Sequence, residues 1–146
     1  SKQTIYNPSG TVNVQGATVE KTTADSNAIY NKGTLNITSG TVTSSRKNFT
    51  VTNYGTFSMS GGTIVTLVSD SQCLANSDKS SATISGGRIY CSSSQVNGSD
   101  YAERSIVVNQ TDSTMKITGG SIGNSKSSYD NNTILGGTGI MVGLLQ

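Results

Sequence analysis

Residues 55–64 read Gly-Thr-Phe-Ser-Met-Ser-Gly-Gly-Thr-Ile, and this pattern decides the fold. Phe57 and Met59 alternate with polar residues, as in a β-strand with one buried face. The glycine pair then interrupts the strand, because glycine adopts the backbone conformations that turns need. Thr63 and Ile64 begin a second strand. The pattern therefore predicts two short strands joined by a tight turn.

The same pattern occurs five times along the chain. In each copy the first and last apolar residues are seven positions apart, in the pairs Val12/Val19, Leu35/Val42, Phe57/Ile64, Ala82/Ile89 and Met115/Ile122. The copies begin 23, 22, 25 and 33 residues apart. Such periods suit three short strands and three turns, which make one coil of a parallel β-helix. The repeat therefore predicts an all-β solenoid, a right-handed parallel β-helix of five to six coils, whose lumen is filled by the apolar residues of the repeats.

A column of asparagines accompanies the repeats. Each asparagine follows an apolar residue by two positions, in the pairs Ile5/Asn7, Ile29/Asn31, Val51/Asn53, Leu74/Asn76 and Val107/Asn109. Stacked in successive coils, their amides would bond to one another and to backbone groups of the turns. The alternative is that asparagine is simply common in turns. Five asparagines in register favour a structural ladder.

The composition suits a single domain over residues 1–146. Hydrophobic residues make up 32% of the chain and charged residues 12%. Such a composition also occurs in disordered chains, but a disordered chain has no need of regularly spaced apolar residues. A net charge of +2, from scattered lysines and arginines, gives no reason to expect nucleic acid as a partner. No stretch is long and apolar enough to predict membrane insertion.

The sequence does not predict an enzyme. The chain has no histidine, so it lacks the usual general base and the imidazole metal ligand. We therefore expect no catalytic residue, no metal site and no cofactor. Strand alternation places Cys91 inward and Cys73 outward, so two separate thiols are favoured over a disulfide.

Two late coils carry longer connections, at about residues 91–104 and 124–138. Insertions on one side of a solenoid are common places for recognition. Aromatic, amide and charged side chains suit a glycan site, and the two loops supply Tyr101, Glu103, Arg104, Tyr129, Asp130, Asn131 and Asn132. A glycan is therefore a possible partner.

The two ends of the solenoid form the second candidate surface. The N-terminal edge contains Ile5 and Tyr6, and the last apolar stretch contains Ile140, Met141 and Val142. A β-helix without caps leaves a full coil of unpaired backbone groups at each end. We expect these residues to make end-to-end contacts, with another copy of the chain or with flanking β-helix coils.

The five copies, between residues 4 and 122, resemble the recurring unit of bacterial extracellular right-handed β-helix proteins, a group of surface and adhesin-like repeat proteins. The resemblance implies an extracellular or cell-surface location. It also implies a structural or adhesive module that assembles end to end or forms part of a longer fibre. The alternative is a glycan-binding module that uses the two long loops.

Overall fold

Every regular element that the structure describes is a β-strand. The computed structural model describes residues 2–68, 71–92, 106–110, 112–124, 133–135 and 141–143. Its seventeen strands are β1 (Ile5–Asn7), β2 (Thr11–Val14), β3 (Thr18–Lys21), β4 (Ile29–Asn31), β5 (Thr34–Ile37), β6 (Thr41–Ser44), β7 (Val51–Asn53), β8 (Thr56–Met59), β9 (Thr63–Thr66), β10 (Leu74–Asn76), β11 (Ser81–Ile84), β12 (Arg88–Cys91), β13 (Val107–Asn109), β14 (Thr114–Ile117), β15 (Ser121–Asn124), β16 (Thr133–Leu135) and β17 (Met141–Gly143).

The strands form three sheets that run along the molecule. The first sheet has the order β1-β4-β7-β10-β13-β16-β17, the second β2-β5-β8-β11-β14 and the third β3-β6-β9-β12-β15. Each group of three consecutive strands, from β1–β3 to β13–β15, is one rung, and we number the rungs one to five. All pairings between these rungs are parallel. The predicted parallel β-solenoid is confirmed. The path from rung one to rung five makes about four turns, so the count differs slightly from the predicted five to six coils.

The repeat spacing sets the register between rungs. Leu35 of β5 pairs with Val12 on one side and with Phe57 on the other, so equivalent positions stack. Alternation then directs apolar columns inward from every sheet, and the second sheet supplies two of them, at the positions of Leu35 and Ile37. The resulting core includes Leu35, Val42 and Phe57, and each of these side chains is buried. A chain with a small apolar fraction can thus build a continuous core, because each rung covers the next.

Glycine is required where neighbouring rungs approach most closely. Gly55, between β7 and β8, lies directly beneath the backbone of the preceding rung. A Cβ atom at Gly55 would lie 2.1 Å from the carbonyl oxygen of Gly33. Gly62, in the turn before β9, has φ +77°, a conformation that L side chains rarely adopt. The glycines of the repeat therefore set the spacing between rungs as well as the turns.

The C-terminal part departs from the prediction in two ways. Thr133–Leu135 is a strand, although the loop was predicted to extend over residues 124–138, and Ile134 pairs with Val107. Ile134 therefore occupies the next register position after Val107, within the range predicted as a loop. The following strand, Met141–Gly143, pairs antiparallel with β16. Met141 and Val142, which we expected at the C-terminal end of the stack, thus lie in a strand that runs antiparallel to it.

The predicted outward orientation of Cys73 is also wrong. Cys73 and Leu74 both donate their backbone N–H to the carbonyl of Ile106, at 2.9 and 3.2 Å. Two successive N–H groups on one acceptor mark a bend, so strand alternation does not apply there. Both cysteines are buried, Cys91 as predicted, and no disulfide joins them.

We predict that Gly55→Ala destabilises the fold by on the order of 3 kcal/mol, because the added methyl group meets a backbone carbonyl that cannot move without separating two rungs. Chemical denaturation followed by circular dichroism measures the change. Ser60→Ala, at an exposed turn position, is the control and should be near neutral. Equal midpoints for the two variants would contradict the close approach of the rungs.

Candidate functional site

The predicted asparagine ladder runs through the first sheet. Four side-chain hydrogen bonds join Asn7, Asn31, Asn53, Asn76 and Asn109, with Nδ2 to Oδ1 distances of 2.7, 2.7, 2.7 and 2.8 Å. Asn53 shows the full pattern, because its amide also donates to the carbonyls of Gly55 and Ser81 at 3.1 and 3.0 Å. The Oδ1 of Asn53 accepts the backbone N–H of Gly55 at 3.2 Å. The ladder thus binds the turn after each first-sheet strand to the next rung.

The ladder has a direction. At every step the earlier asparagine donates through Nδ2 and the later asparagine accepts through Oδ1. Asn7 therefore donates to Asn31, and its own Oδ1 receives no donor from the residues that the structure describes. Asn109, at the other end, donates to the carbonyl of Ser113 at 3.0 Å. The N-terminal end of the ladder consequently presents an acceptor.

The first rung is less completely buried than the rungs behind it. Ile5 and Val12 pack against the core but remain partly exposed. Their stacking partners Ile29 and Leu35, in rung two, are fully buried. β1, β2 and β3 are each the edge strand of their sheet. The N-terminal edge therefore leaves Ile5 and Val12 incompletely covered, whereas Val14 and Val19 of the same rung are buried.

A row of tyrosines ends at the same edge. The ring centroids of Tyr6 and Tyr30 are 5.7 Å apart, and those of Tyr30 and Tyr54 are 5.1 Å apart with the rings stacked. Tyr6 is 54% exposed. Partial burial raises the pKa of Tyr54, and the neighbouring Tyr30 adds to the shift. Sequence reasoning missed the row, although Ile-Tyr-Asn occurs at residues 5–7 and again at 29–31.

A lysine occupies an inward position of the first rung. Lys21 ends β3, in the column that continues with Ser44 and Thr66, and it is buried. Its Nζ donates a hydrogen bond to the carbonyl oxygen of Lys2. An inward charge on an edge strand is a common protection against unwanted pairing. The N-terminal face therefore combines unpaired strand edges with an inward charge that restricts which strands can pair there.

The C-terminal end is built differently. β16 lies against β13, and β17 lies beyond it in the antiparallel direction. The second and third sheets already end at β14 and β15, where Met115 and Ile117 are only partly buried. The end of the first sheet therefore lies two strands farther along the axis than the ends of the other two sheets. Ile140, which we expected at this contact, lies outside the described residues.

The predicted glycan-binding residues are not among the described residues. Tyr101, Glu103, Arg104, Tyr129, Asp130, Asn131 and Asn132 all lie outside them. Of the residues that the structure does describe, no three or more histidines, cysteines, aspartates or glutamates are grouped as metal ligands. Within the same ranges no helix is long and apolar enough to cross a membrane.

A repeated hydrogen bond closes individual rungs at the corner between the third and first sheets. Thr4 Oγ1 donates to the carbonyl of Glu20 at 2.8 Å, and Cys73 Sγ donates to that of Tyr90 at 3.1 Å. Glu20 and Tyr90 occupy the same column of the third sheet. Burial raises the pKa of the Cys73 thiol well above its usual range. The thiol therefore serves as a buried donor, as threonine does in the first rung.

Comparisons with protein-family models, curated proteins and solved structures found no match to this chain. The resemblance to bacterial surface β-helix proteins is accordingly supported by the solenoid fold alone.

We predict that Asn53→Ala lowers the free energy of unfolding by about 1–3 kcal/mol, because buried partners on both sides lose their hydrogen bonds. Asn36→Ala is the matched control. Asn36 also bonds to the rung before it, to Asn13 at 2.9 Å, but on the exposed outer face. The control should cost well under 1 kcal/mol. Similar losses in both variants would mean that the inner ladder contributes no more to stability than the exposed hydrogen bond of Asn36.

The raised pKa of Cys73 predicts a pH-dependent loss of stability. The unfolded thiol releases its proton above pH about 8.5, whereas the native thiol keeps it. The contribution of the Cys73 thiol to the free energy of unfolding is therefore complete below that pH. Above it, the contribution declines by at most about 1.4 kcal/mol per pH unit. Denaturation at a series of alkaline pH values tests this against Cys73→Thr, which keeps a donor without the titration. Parallel curves for the two proteins would contradict the prediction.

Proposed function

We propose that this chain is a structural segment of a longer β-helical fibre at the cell surface, and that its N-terminal rung joins it to further β-helix. The observation that carries the proposal is the incomplete burial of the first rung. Ile5 and Val12 are partly exposed there, whereas the equivalent residues of rungs two and three are sealed. A further rung would complete the core at this end.

The edges of the first rung support the same conclusion. The inner rungs satisfy their backbone groups by pairing on both sides, for example β4 with β1 and with β7. β1, β2 and β3 pair on one side only. Unpaired parallel edges are templates for another strand, and solenoids normally cover them with a cap or with more coils. Of the described residues before β1, Lys2 and Thr4 form hydrogen bonds to β3, on the third-sheet side of the first rung.

The cell-surface location belongs to the proposal and rests on the resemblance of the repeats. Adhesion remains part of that resemblance too. The glycan-binding alternative depends on the loop residues around 91–104 and 124–138. The tyrosine row is no part of that predicted site, and within it Tyr30 and Tyr54 are stacked on each other. The fibre segment is therefore the function that we favour.

An N-terminal extension tests the proposal. A copy of residues 28–50 in place of residues 1–4 would supply one more rung, with the spacing that separates β4 from β7. We expect the extended chain to be more stable, by about 2 kcal/mol from the completed burial of Ile5 and Val12 alone. Amide hydrogen exchange in β1–β3 should slow as well.

The control is the same extension with Leu35→Asp and Val42→Asp in the added copy, which cannot form a lumen. It should leave both stability and exchange as in the original chain. If the unmodified extension also left them unchanged, the first rung would not be a joining surface and the proposal would fail.

A further inference from the structure

We propose that the rung that covers β1–β3 runs parallel to them and donates a side-chain amide hydrogen to Asn7 Oδ1. The partner is then the C-terminal end of another β-helical segment, with an asparagine at the ladder position of its last rung, and not a second copy of this chain. This inference rests on the proposed function, and it adds the direction and the chemistry of the partner.

The direction follows from the ladder. The Oδ1 atoms of Asn31, Asn53, Asn76 and Asn109 each accept from the asparagine of the preceding rung. Asn7 Oδ1 occupies the same position in rung one, where the described residues supply no donor. Asn7 itself is only 5% exposed. A covering rung without a donor would therefore bury an unsatisfied acceptor, which proteins rarely tolerate.

The N-terminal face of a second copy does not supply that donor. Its Asn7 presents the same acceptor, and both amide hydrogens of that asparagine are already directed inward, to Asn31 Oδ1 at 2.7 Å and to the carbonyls of Thr34 and Gly10 at 3.3 and 3.4 Å. Such a contact would be isologous, with the same groups on both sides. It would leave the acceptor of each copy without a partner.

The C-terminal end of a second copy does not supply the donor either. Asn109, the last asparagine of the ladder, belongs to β13, and β16 already lies along that strand. The outermost strand beyond it, β17, runs antiparallel to the stack. Among the described strands, the end of the first sheet thus presents no parallel strand with an asparagine at the ladder position.

Two neighbouring positions, Lys21 and Tyr6, restrict further which side chains the covering rung can carry. Above Lys21 the covering rung must place a small or hydrogen-bonding side chain, because the buried Lys21 side chain occupies that column in rung one. Later rungs have Ser44 and Thr66 in that column. Above Tyr6 an aromatic residue would continue the row that Tyr30 and Tyr54 extend on the other side. A rung such as β4–β6 meets all three requirements.

The experiment uses the extended chain described above, with substitutions in the added copy of residues 28–50. Asn31→Ala in that copy removes the donor to Asn7, and we expect the equilibrium constant for unfolding to rise about tenfold relative to the unmodified extension. Asn36→Ala in the copy, on the outer face, is the matched control and should change it less than twofold. A double-mutant cycle with Asn7→Ala isolates the pair, and the two substitutions should be strongly non-additive.

The outcomes separate the two proposals. Suppose that the extension stabilises the chain, but Asn31→Ala in the copy has no more effect than Asn36→Ala, or the cycle is additive. The proposed amide hydrogen bond to Asn7 is then wrong, while the proposed function stands. If the unmodified extension does not stabilise the chain, the proposed function itself is wrong.

Sedimentation velocity of the original chain tests the exclusion of a second copy. We expect a monomer of 15.1 kDa at all concentrations from low to high micromolar. A reversible dimer or polymer that Ile5→Lys dissociates would overturn the inference, because it would show that the N-terminal face accepts another copy. Thr34→Lys, on the outer face of the second sheet, is the control for added charge.

Discussion

The hydrogen bond between the side chains of stacked asparagines is the interaction on which the rest of this structure depends. The amide of Asn31, for example, donates to the next asparagine, Asn53, and to the carbonyls of Gly33 in its own rung and Thr56 in the next. The first-sheet turn is therefore fixed in register between rungs, at the point where the chain leaves the sheet. With that turn fixed, a small spacing between backbones follows, and only glycine fits beneath Gly33 at position 55. Apolar packing then fills a lumen whose dimensions the turns have set.

The amide group is also asymmetric, and this gives the solenoid a chemical polarity that a purely apolar core would lack. A methyl or phenyl column could be extended equally well by a rung from either direction. An asparagine column ends in an acceptor at Asn7 and in a donor at Asn109. Polar groups in a buried column thus specify orientation, a role that single buried asparagines also have in coiled coils. Lys21 adds a second condition at the same face, because a charge in the lumen excludes covering rungs with a large apolar residue at that position.

Local rules were enough to predict the repeated part of the fold, because each rung obeys the same alternation and the same spacing. Leu35, Phe57 and their equivalents stack as the seven-residue spacing indicated. The errors fall where that periodicity stops. Cys73 lies at a corner where two successive N–H groups share one acceptor, so a pattern based on alternation gives the wrong side. Ile134 occupies the register position after Val107 only 12 positions after Ile122, close to the earlier spacing of nine or ten, but the more apolar stretch at 139–145 drew the prediction away from it. The direction of the ladder was beyond sequence reasoning, since either oxygen or nitrogen of an asparagine can face the next rung.

The ends matter more in a short solenoid than in a long one. Stability in a stacked repeat is close to a sum of terms for each rung and for each interface between neighbours, so the two open ends cost the same whatever the length. The five rungs of this chain have four interfaces between them, and one more rung would add a quarter to that number. The same addition to a solenoid of many coils would change its stability only slightly in proportion. At the N-terminal face of this chain, with partly exposed Ile5 and Val12 and an acceptor at Asn7, a single added rung therefore has a large effect on the stability of the whole molecule.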